Sequence, residues 1–150
     1  MEAKKIIITG GATRVGAAIA KNLAGYDVDI IIHFNKSKKS AQQLKTELEE
    51  MGSKVHLIKA DLSNINQVKK IVPFAHKKMK GLDCLINNAS LFEKDDLENF
   101  SDKSFSKHLD INLKAPAFLI KDFKRYVKNK DANVINIIDQ RVKKLTPFFF

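Results

Sequence analysis

The sequence predicts a doubly wound α/β fold, in which helices cover both faces of a parallel sheet. Five apolar segments rich in β-branched residues alternate along the chain with segments of helical periodicity. The apolar segments are nearly continuous, as expected for strands that are buried on both faces. The 150 residues, 44% of them hydrophobic and 29% charged, suit one globular domain. No repeat or linker divides the chain, so we expect residues 1–150 to form a single domain.

The predicted strands and helices follow one another in strict alternation. The strands are the apolar runs Lys5–Thr9, Val28–Phe34, Val55–Ile58, Leu82–Asn87 and Asn133–Ile138. The helices carry apolar residues three or four positions apart and cover Val15–Leu23, Lys38–Met51, Ile65–Met79 and Ser101–Lys128. Gly52 ends the second helix. Pro73 and Pro116 are expected to kink or break the third and fourth helices.

The composition narrows the range of functions. The single cysteine, Cys84, excludes an intrachain disulfide and a multi-cysteine metal site, and the four histidines lack metal-ligand spacing. No apolar run approaches the ~20 residues of a membrane span, and no secretory signal precedes the first strand. We therefore expect a cytoplasmic protein that binds neither a metal nor a membrane. The net charge is +10, but only three basic residues are arginines, which argues against a nucleic-acid partner.

A glycine-rich segment joins the first predicted strand to the first helix. It contains Gly10, Arg14, Val15 and Gly16. Glycines allow unusual backbone angles and the close approach of a ligand, and a helix N-terminus offers free N–H groups to a phosphate. A turn in this context indicates a dinucleotide site rather than a plain connection between strand and helix.

The end of the second strand indicates which dinucleotide is bound. A carboxylate there would bind the adenosine ribose and repel a 2′-phosphate. This chain has Asn35, Lys36 and Ser37 instead, and Arg14 could reach the same group from the first turn. The segment predicts NADPH rather than NADH. The alternative is that Lys36 is one more surface lysine.

Four segments in this order resemble the short-chain dehydrogenase/reductase family, whose nucleotide-binding domain has the Rossmann fold. They are Thr9-Gly10 with Gly16, Asp61-Leu62, Asn87-Asn88-Ala89-Ser90, and Asn112. The resemblance implies that Asp61 and Leu62 contact the adenine and that Asn88 and Ala89 shape the cofactor site. It also implies that Asn112 holds a water of the proton relay.

Details of the sequence are similar to the branch of pteridine reductases and related dihydrofolate reductases. Arg14 replaces a glycine found in most of the family, and Asn88–Phe92 matches the branch pattern Asn-Ala-Ser-x-Phe. The resemblance implies that Phe92 stacks on a pterin and that Ser90 contacts ligand and cofactor. Asp139 stands where most members have a catalytic serine and would help with proton delivery.

The family's catalytic pair, a tyrosine and a lysine four residues later, is not found in its expected position. Tyr126 and Lys130 have the spacing, but they precede the fifth strand, and Tyr26 precedes the second. We therefore interpret the chain as the N-terminal part of a reductase, truncated after the fifth strand and with little turnover by itself. The resemblance implies that the full-length form is a homo-oligomer, because the missing helix is often an interface.

Other interpretations remain open at the level of sequence. The reductase could act on a carbonyl compound, such as a 3-oxoacyl substrate, instead of a pterin. The chain could be a non-catalytic dinucleotide-binding remnant. Phe92 could merely cover a small core in its loop, and Asp139 could be a surface turn residue.

Overall fold

The structure is a computed structural model that describes residues 3–93, 98 and 101–139. In these ranges the strands are β1 (Lys4–Ile8), β2 (Val28–Phe34), β3 (Lys54–Lys59), β4 (Cys84–Asn87) and β5 (Asn133–Asn136). The helices are α1 (Arg14–Leu23), α2 (Lys38–Glu50), α3 (Ile65–Met79), α4 (Asp102–Leu109) and α5 (Ala115–Tyr126). A π-helical turn, Asp110–Lys114, joins α4 to α5.

The strands form one parallel sheet with the order β3-β2-β1-β4-β5. The central strand β1 pairs with β2 on one side and with β4 on the other, with Ile6 opposite Ile30 and Cys84. The chain therefore adds β2 and β3 on one side of β1 and then crosses back to add β4 and β5 on the other side. This reversal is the switch point at which such sheets bind ligands. The predicted fold class is confirmed.

Hydrophobic cores cover both faces of the sheet. Ile30 and Ile32 of β2 belong to the core that includes Ala20 of α1 and Leu44 of α2. Ile31, between them, belongs to the opposite core, to which α3 and α5 contribute. Successive side chains of a strand point to opposite faces. The two cores thus explain why all seven residues of β2 are buried and why all of them except Asp29 and His33 are apolar.

One proline prediction needs correction. The helix α3 continues through Pro73 without a break. The predicted helix over residues 101–128 is interrupted near Pro116, as expected, by the π-helical turn Asp110–Lys114. The backbone stays helical from α4 through this turn into α5, so Pro116 lies inside a continuous helical segment, in which it has no N–H to donate to the preceding turn.

The last strand is shorter than predicted. β5 ends at Asn136, whereas the apolar run continues to Ile138. Ile137 and Ile138 follow the strand and are 44% and 79% exposed. The apolar terminal residues 147–150 lie outside the described residues. Among the residues that are described, no helix has the length and apolar character needed to cross a membrane.

Candidate cofactor-binding site

Four connecting segments meet at the carboxyl edge of the sheet, after β1, β2, β3 and β4. Parallel strands all end at the same edge, so these segments become neighbours in space. Together with the first turn of α1, they carry every residue that the sequence assigns to the cofactor: Gly10, Arg14, Val15, Gly16, Asn35, Lys36, Ser37, Asp61, Leu62, Asn88 and Ala89. The fold thus brings the whole predicted set together.

Two glycines make the first turn possible. Gly10 has a φ of +60°, and a Cβ there would lie 3.0 Å from the Cα of Ala89. A Cβ on Gly16 would lie 2.3 Å from the carbonyl oxygen of Gly10 and 2.6 Å from the side-chain amide nitrogen of Asn88. Side chains are therefore excluded at both positions, since the turn packs directly against the segment after β4.

The first turn of α1 presents its N–H groups without a side-chain cap. Thr13 is the N-cap residue and makes no side-chain capping hydrogen bond. Arg14 and Val15 are exposed, and the first turn contains no acidic residue. Arg14 has a φ of +51°, in the left-handed region that favours glycine. The N–H groups of a first turn lack intrahelical acceptors, so this end of α1 suits an anion.

Thr9, which the sequence analysis did not assign to the site, joins the ends of β1 and β4. Its hydroxyl is buried, accepts hydrogen bonds from the backbone N–H groups of Asn88 (3.0 Å) and Ala89 (3.1 Å), and donates to the Ile86 carbonyl at 3.4 Å. The Asn88 amide donates in return to the carbonyls of Thr9 (2.9 Å) and Gly10 (3.1 Å). Asn88 thus fixes the glycine-rich turn through its own side chain.

His33 was also missed, because a histidine in an apolar strand carries no recognisable sequence signal. Its side chain is 2% exposed, and its Nδ1 accepts a hydrogen bond from the Gly10 N–H at 3.1 Å. Its Nε2 lies 3.0 Å from the Ala60 carbonyl oxygen and must donate to it. Burial lowers the pKa of His33, although the Ala60 carbonyl and the charge of Asp61 oppose this effect. The imidazole is therefore neutral, with its proton on Nε2.

The segment after β2 is cationic and contains no acid. Asn35 is half-buried, whereas Lys36 and Ser37 are exposed. Ser37 is the N-cap residue of α2, makes no side-chain capping hydrogen bond, and precedes a first turn that lacks acidic residues. A helix N-terminus beside a lysine is an electrostatically favourable place for a phosphate group.

Asp61 follows β3 and is held in one orientation. Its Oδ1 accepts hydrogen bonds from the Ser63 N–H at 2.9 Å and from the Ser63 hydroxyl at 2.8 Å. These bonds, helped by the charges of Lys36 and Lys107, hold the pKa of Asp61 below its usual value against the effect of desolvation. The neighbouring Leu62 is 6% exposed and belongs to the core. Asp61 is therefore an ionised hydrogen-bond acceptor at the edge of the site.

The segment after β4 is anchored by Asn112. The side-chain amide of Asn112 accepts from the Leu91 N–H at 2.8 Å and donates to the Leu91 carbonyl at 2.9 Å. Asn112 lies on the π-helical turn, so this irregular turn and the loop are fixed to each other. The predicted role of Asn112 in holding a water stays a prediction, because its side-chain amide is engaged with Leu91.

The predicted substrate residues lie on the same loop. Ser90 is exposed and Phe92 is 55% exposed. The next residue, Glu93, is joined to α4 by its N–H, which donates to His108 at 3.3 Å, and by a 2.7 Å ion pair with Lys107. That hydrogen bond from Lys107, together with the charges of His108 and Lys36, lowers the pKa of Glu93. The loop is thus bonded to neighbouring helical segments on both sides of Phe92: Leu91 to the π-helical turn and Glu93 to α4.

Asp139 reaches the same edge from β5. The Asn87 amide donates to the Asn136 side chain at 2.9 Å, and the Ile137 N–H donates to the Asn87 carbonyl at 2.9 Å. Asp139 is exposed and follows two residues later. It therefore lies at the carboxyl edge, although its contact with a substrate stays a prediction.

Both tyrosines lie near the opposite edge of the sheet. Tyr26 is in the turn before β2, and Tyr126 ends α5, where its ring lies 5.0 Å from that of His76. Tyr126 also lines a cleft of about 470 Å³ with Lys4 and Lys80, and none of the predicted site residues lines this cleft. Tyr126 and Lys130 are thus separated from the carboxyl edge by the length of the strands. Among the described residues, no group of three or more His, Cys, Asp or Glu side chains could hold a metal.

Comparison with known proteins agrees with this geometry. The sequence model of the family described as short chain dehydrogenase matches residues 4–146, so the chain belongs to the short-chain dehydrogenase family. Among curated relatives, a short-chain dehydrogenase/reductase, FrzI of Cladobotryum sp, is 30% identical over 78% of this chain and 45% of its own length. Galactitol 2-dehydrogenase of Agrobacterium fabrum is 25% identical over 91% of this chain and 53% of its own length.

Solved structures of the family superimpose closely. A short chain dehydrogenase from Burkholderia cenocepacia in complex with NADP has a TM-score of 0.94 and 26% identity, covering 99% of this chain and 60% of that one. FolM alternative dihydrofolate reductase 1 from Brucella canis, complexed with NADP, has a TM-score of 0.89 and 34% identity, covering 97% and 59%. The chain thus spans about half the length of the curated relatives and about 60% of these solved chains.

Proposed function

We propose that this chain is the NADPH-binding part of a short-chain reductase. The observation that carries the proposal is the cationic segment after β2. It combines Lys36 with the uncapped N-terminus of α2, contains no acid, and lies beside the glycine-rich turn that carries Arg14. The structural relatives from Burkholderia cenocepacia and Brucella canis, both in complex with NADP, support the same cofactor.

The residues at the edge fit the chemistry of a phosphorylated dinucleotide. The N–H groups of Val15 and Gly16 would meet the pyrophosphate. The 2′-phosphate would be held by cationic and polar side chains, namely Arg14, Asn35, Lys36 and Ser37. Asp61 and Leu62 would border the adenine, and Asn88 and Ala89 would shape the floor of the site. When bound, NADPH supplies a hydride.

The substrate that we propose is a pterin or dihydrofolate-type compound. Phe92 would stack on its ring, Ser90 would contact both ligands, and Asp139 would help to deliver a proton. The 34% identity with an alternative dihydrofolate reductase supports this substrate class. A carbonyl substrate is the alternative, favoured by the relative that is named galactitol 2-dehydrogenase.

We further propose that residues 1–150 bind the cofactor without turning over substrate. In the family that this chain resembles, the catalytic tyrosine passes a proton to the substrate. Tyr26 and Tyr126 both lie near the opposite edge, and neither could contact a substrate that is bound beside Phe92. Incubation of the 150-residue chain with NADPH and dihydrobiopterin, monitored by NADPH absorbance, should give no turnover, whereas clear turnover would overturn this point.

The cofactor is tested by fluorescence titration with NADPH and NADH. We expect the wild-type chain to bind NADPH at least about tenfold more tightly than NADH, because the 2′-phosphate gains charged hydrogen bonds. Lys36→Asp should reverse the preference, since a carboxylate repels the phosphate and accepts from the ribose hydroxyls. Lys70→Asp makes an equal change of charge at an exposed position of α3 and should leave the preference for NADPH unaltered. Equal affinities for the two dinucleotides in the wild-type chain would contradict the proposal.

The substrate class is tested with the folate analogue methotrexate. The NADPH-loaded chain should bind it, and Phe92→Ala should weaken binding about tenfold because an aromatic stacking partner is lost. Phe105→Ala removes a comparably exposed phenylalanine on α4 and is the matched control. Absence of methotrexate binding in a chain that binds NADPH would favour the carbonyl alternative.

A further inference from the structure

The structure assigns a positioning function to His33, an inference that rests on the proposed binding of NADPH. We propose that the His33 imidazole, whose ring is oriented by its hydrogen bond to Ala60, holds the Gly10 N–H and so fixes the glycine-rich turn, and thereby sets the affinity for the cofactor. His33 lies inside β2, between the two strands whose carboxyl ends it would connect. It is distinct from the residues that face the cofactor, because it is 2% exposed.

Both ring nitrogens bond to backbone atoms of cofactor segments. Nδ1 accepts from the N–H of Gly10, and Nε2 donates to the carbonyl of Ala60, the residue before Asp61. The bond from Nε2 to the Ala60 carbonyl orients the rigid ring, and this orientation places Nδ1 where it accepts from the Gly10 N–H. A core residue that only fills space would need neither bond.

His33 also determines which backbone groups remain for the pyrophosphate. Its Nδ1 engages the Gly10 N–H, and its backbone carbonyl accepts from the Gly11 N–H at 3.0 Å. The two glycine N–H groups are therefore used inside the protein. The N–H groups that can meet an anion are those of the first turn of α1, which begins at Arg14. The turn thus acts as a rigid support, held by His33, for the anion-binding end of α1.

The protonation state of the ring is part of this arrangement. A proton on Nδ1 would place two donors, Nδ1–H and the Gly10 N–H, against each other. The charged group whose field reaches the ring is Asp61, and it favours the imidazolium. Burial outweighs that charge, and the neutral ring with its proton on Nε2 is the form that both hydrogen bonds require.

Three substitutions separate the two hydrogen bonds. In His33→Asn, the side-chain oxygen can take the position of Nδ1 and accept from Gly10. In His33→Gln, the longer amide can reach Ala60, but the Gly10 N–H is left without its acceptor. His33→Leu keeps a similar volume and removes both bonds. Each variant is titrated with NADPH at a temperature at which circular dichroism shows it to be folded.

We expect the Asn variant to keep the wild-type NADPH affinity within about threefold. The Gln and Leu variants should lose about tenfold or more, because a turn that is correctly placed for only a fraction of the time weakens apparent affinity by that fraction. Nitrogen-15 NMR of the imidazole should show a proton on Nε2 alone in the wild-type chain, and the Gly10 amide resonance should shift in the Gln and Leu variants but little in Asn.

The outcomes separate this inference from the function on which it rests. A wild-type chain that does not bind NADPH overturns the proposed function. A wild-type chain that binds NADPH, with equal affinities in the three variants, overturns only the assignment of His33. Losses of affinity that follow the unfolding midpoint of each variant, without a difference between Asn and Gln, would show a purely structural residue and would also overturn it.

Discussion

At the scale of the residue, Arg14 combines an unfavourable backbone conformation with a useful side chain. Its φ of +51° is in the left-handed region, which costs a residue with a Cβ about 1–2 kcal/mol relative to glycine. Gly10, four residues earlier, has a similar φ without that cost. Strained backbone of this kind is often found at functional sites, which agrees with the proposed role of this turn in binding the cofactor. The proposed contact of the guanidinium with the 2′-phosphate accounts for an arginine here.

Replacement of Arg14 should separate stability from binding. We expect Arg14→Gly to raise the free energy of unfolding by about 1 kcal/mol relative to Arg14→Ala, since only glycine relieves the strain. Both variants should bind NADPH about tenfold more weakly, with little change for NADH, because both lack the guanidinium. Urea unfolding and fluorescence titration measure the two effects. An Ala variant as stable as the Gly variant would contradict the strain, and unchanged NADPH binding would contradict the contact.

At the scale of the element, the π-helical turn between α4 and α5 supports the loop that carries Phe92. A π-helical turn inserts an extra residue into a helix and is frequently found at functional sites. Here it carries Asn112, whose side-chain amide accepts from the Leu91 N–H and donates to the Leu91 carbonyl. The backbone of Leu91, next to Phe92, is thus held by the π-helical turn.

Loss of the Asn112 amide should loosen the loop locally. We expect Asn112→Ala to speed hydrogen exchange of the Leu91 amide and to lower the free energy of unfolding by about 1 kcal/mol, the typical net value of such hydrogen bonds. Lys114→Ala, on the same π-helical turn, removes only an exposed ion pair with Asp110 and should leave the exchange of Leu91 unchanged. Equal exchange rates in wild type and Asn112→Ala would show that the loop is held by other contacts.

At the scale of the whole molecule, two carboxylates affect stability in opposite senses. Asp29 is buried in β2, and burial raises its pKa despite the nearby charges of His56, Lys54 and Lys5. The pKa of Asp61 is lowered, mainly by hydrogen bonds from Ser63. A raised pKa means that the ionised carboxylate destabilises the fold at neutral pH, and a lowered pKa means that it stabilises the fold.

The two carboxylates form a matched pair for a pH experiment. At pH 7 we expect Asp29→Asn to raise the urea midpoint of unfolding and Asp61→Asn to lower it. For Asp29, the difference in midpoint between variant and wild type should shrink as the pH falls from the raised pKa of the folded state towards the ordinary pKa of 3.8. For Asp61, the difference in midpoint should persist down to pH 3.8 and shrink only as the pH falls further, through the lowered pKa of the folded state. Shifts of the same sign at pH 7 would contradict this assignment.

Much of the architecture could be predicted because it depends on local patterns. The mostly apolar sequence of β2 indicated burial on both faces, and the glycine-rich segment indicated a tight turn before a helix. Boundaries were less predictable where pairing decides them, since β5 stops at Asn136 although its apolar run continues to Ile138. Pro73 did not break α3, which is held by a buried face that includes Val72 and Ala75.

The sequence by itself determined the order of the strands and helices, the cationic segment after β2 that lacks an acid, and the residue types of the candidate cofactor site. These features depend on the spacing and chemistry of neighbouring residues. Only the tertiary structure decided that Thr9 joins the ends of β1 and β4, that His33 joins the turn at Gly10 to Ala60, and that Asn112 holds Leu91. Each of these hydrogen bonds connects residues at least 21 positions apart, and a single sequence carries no local signal for such contacts.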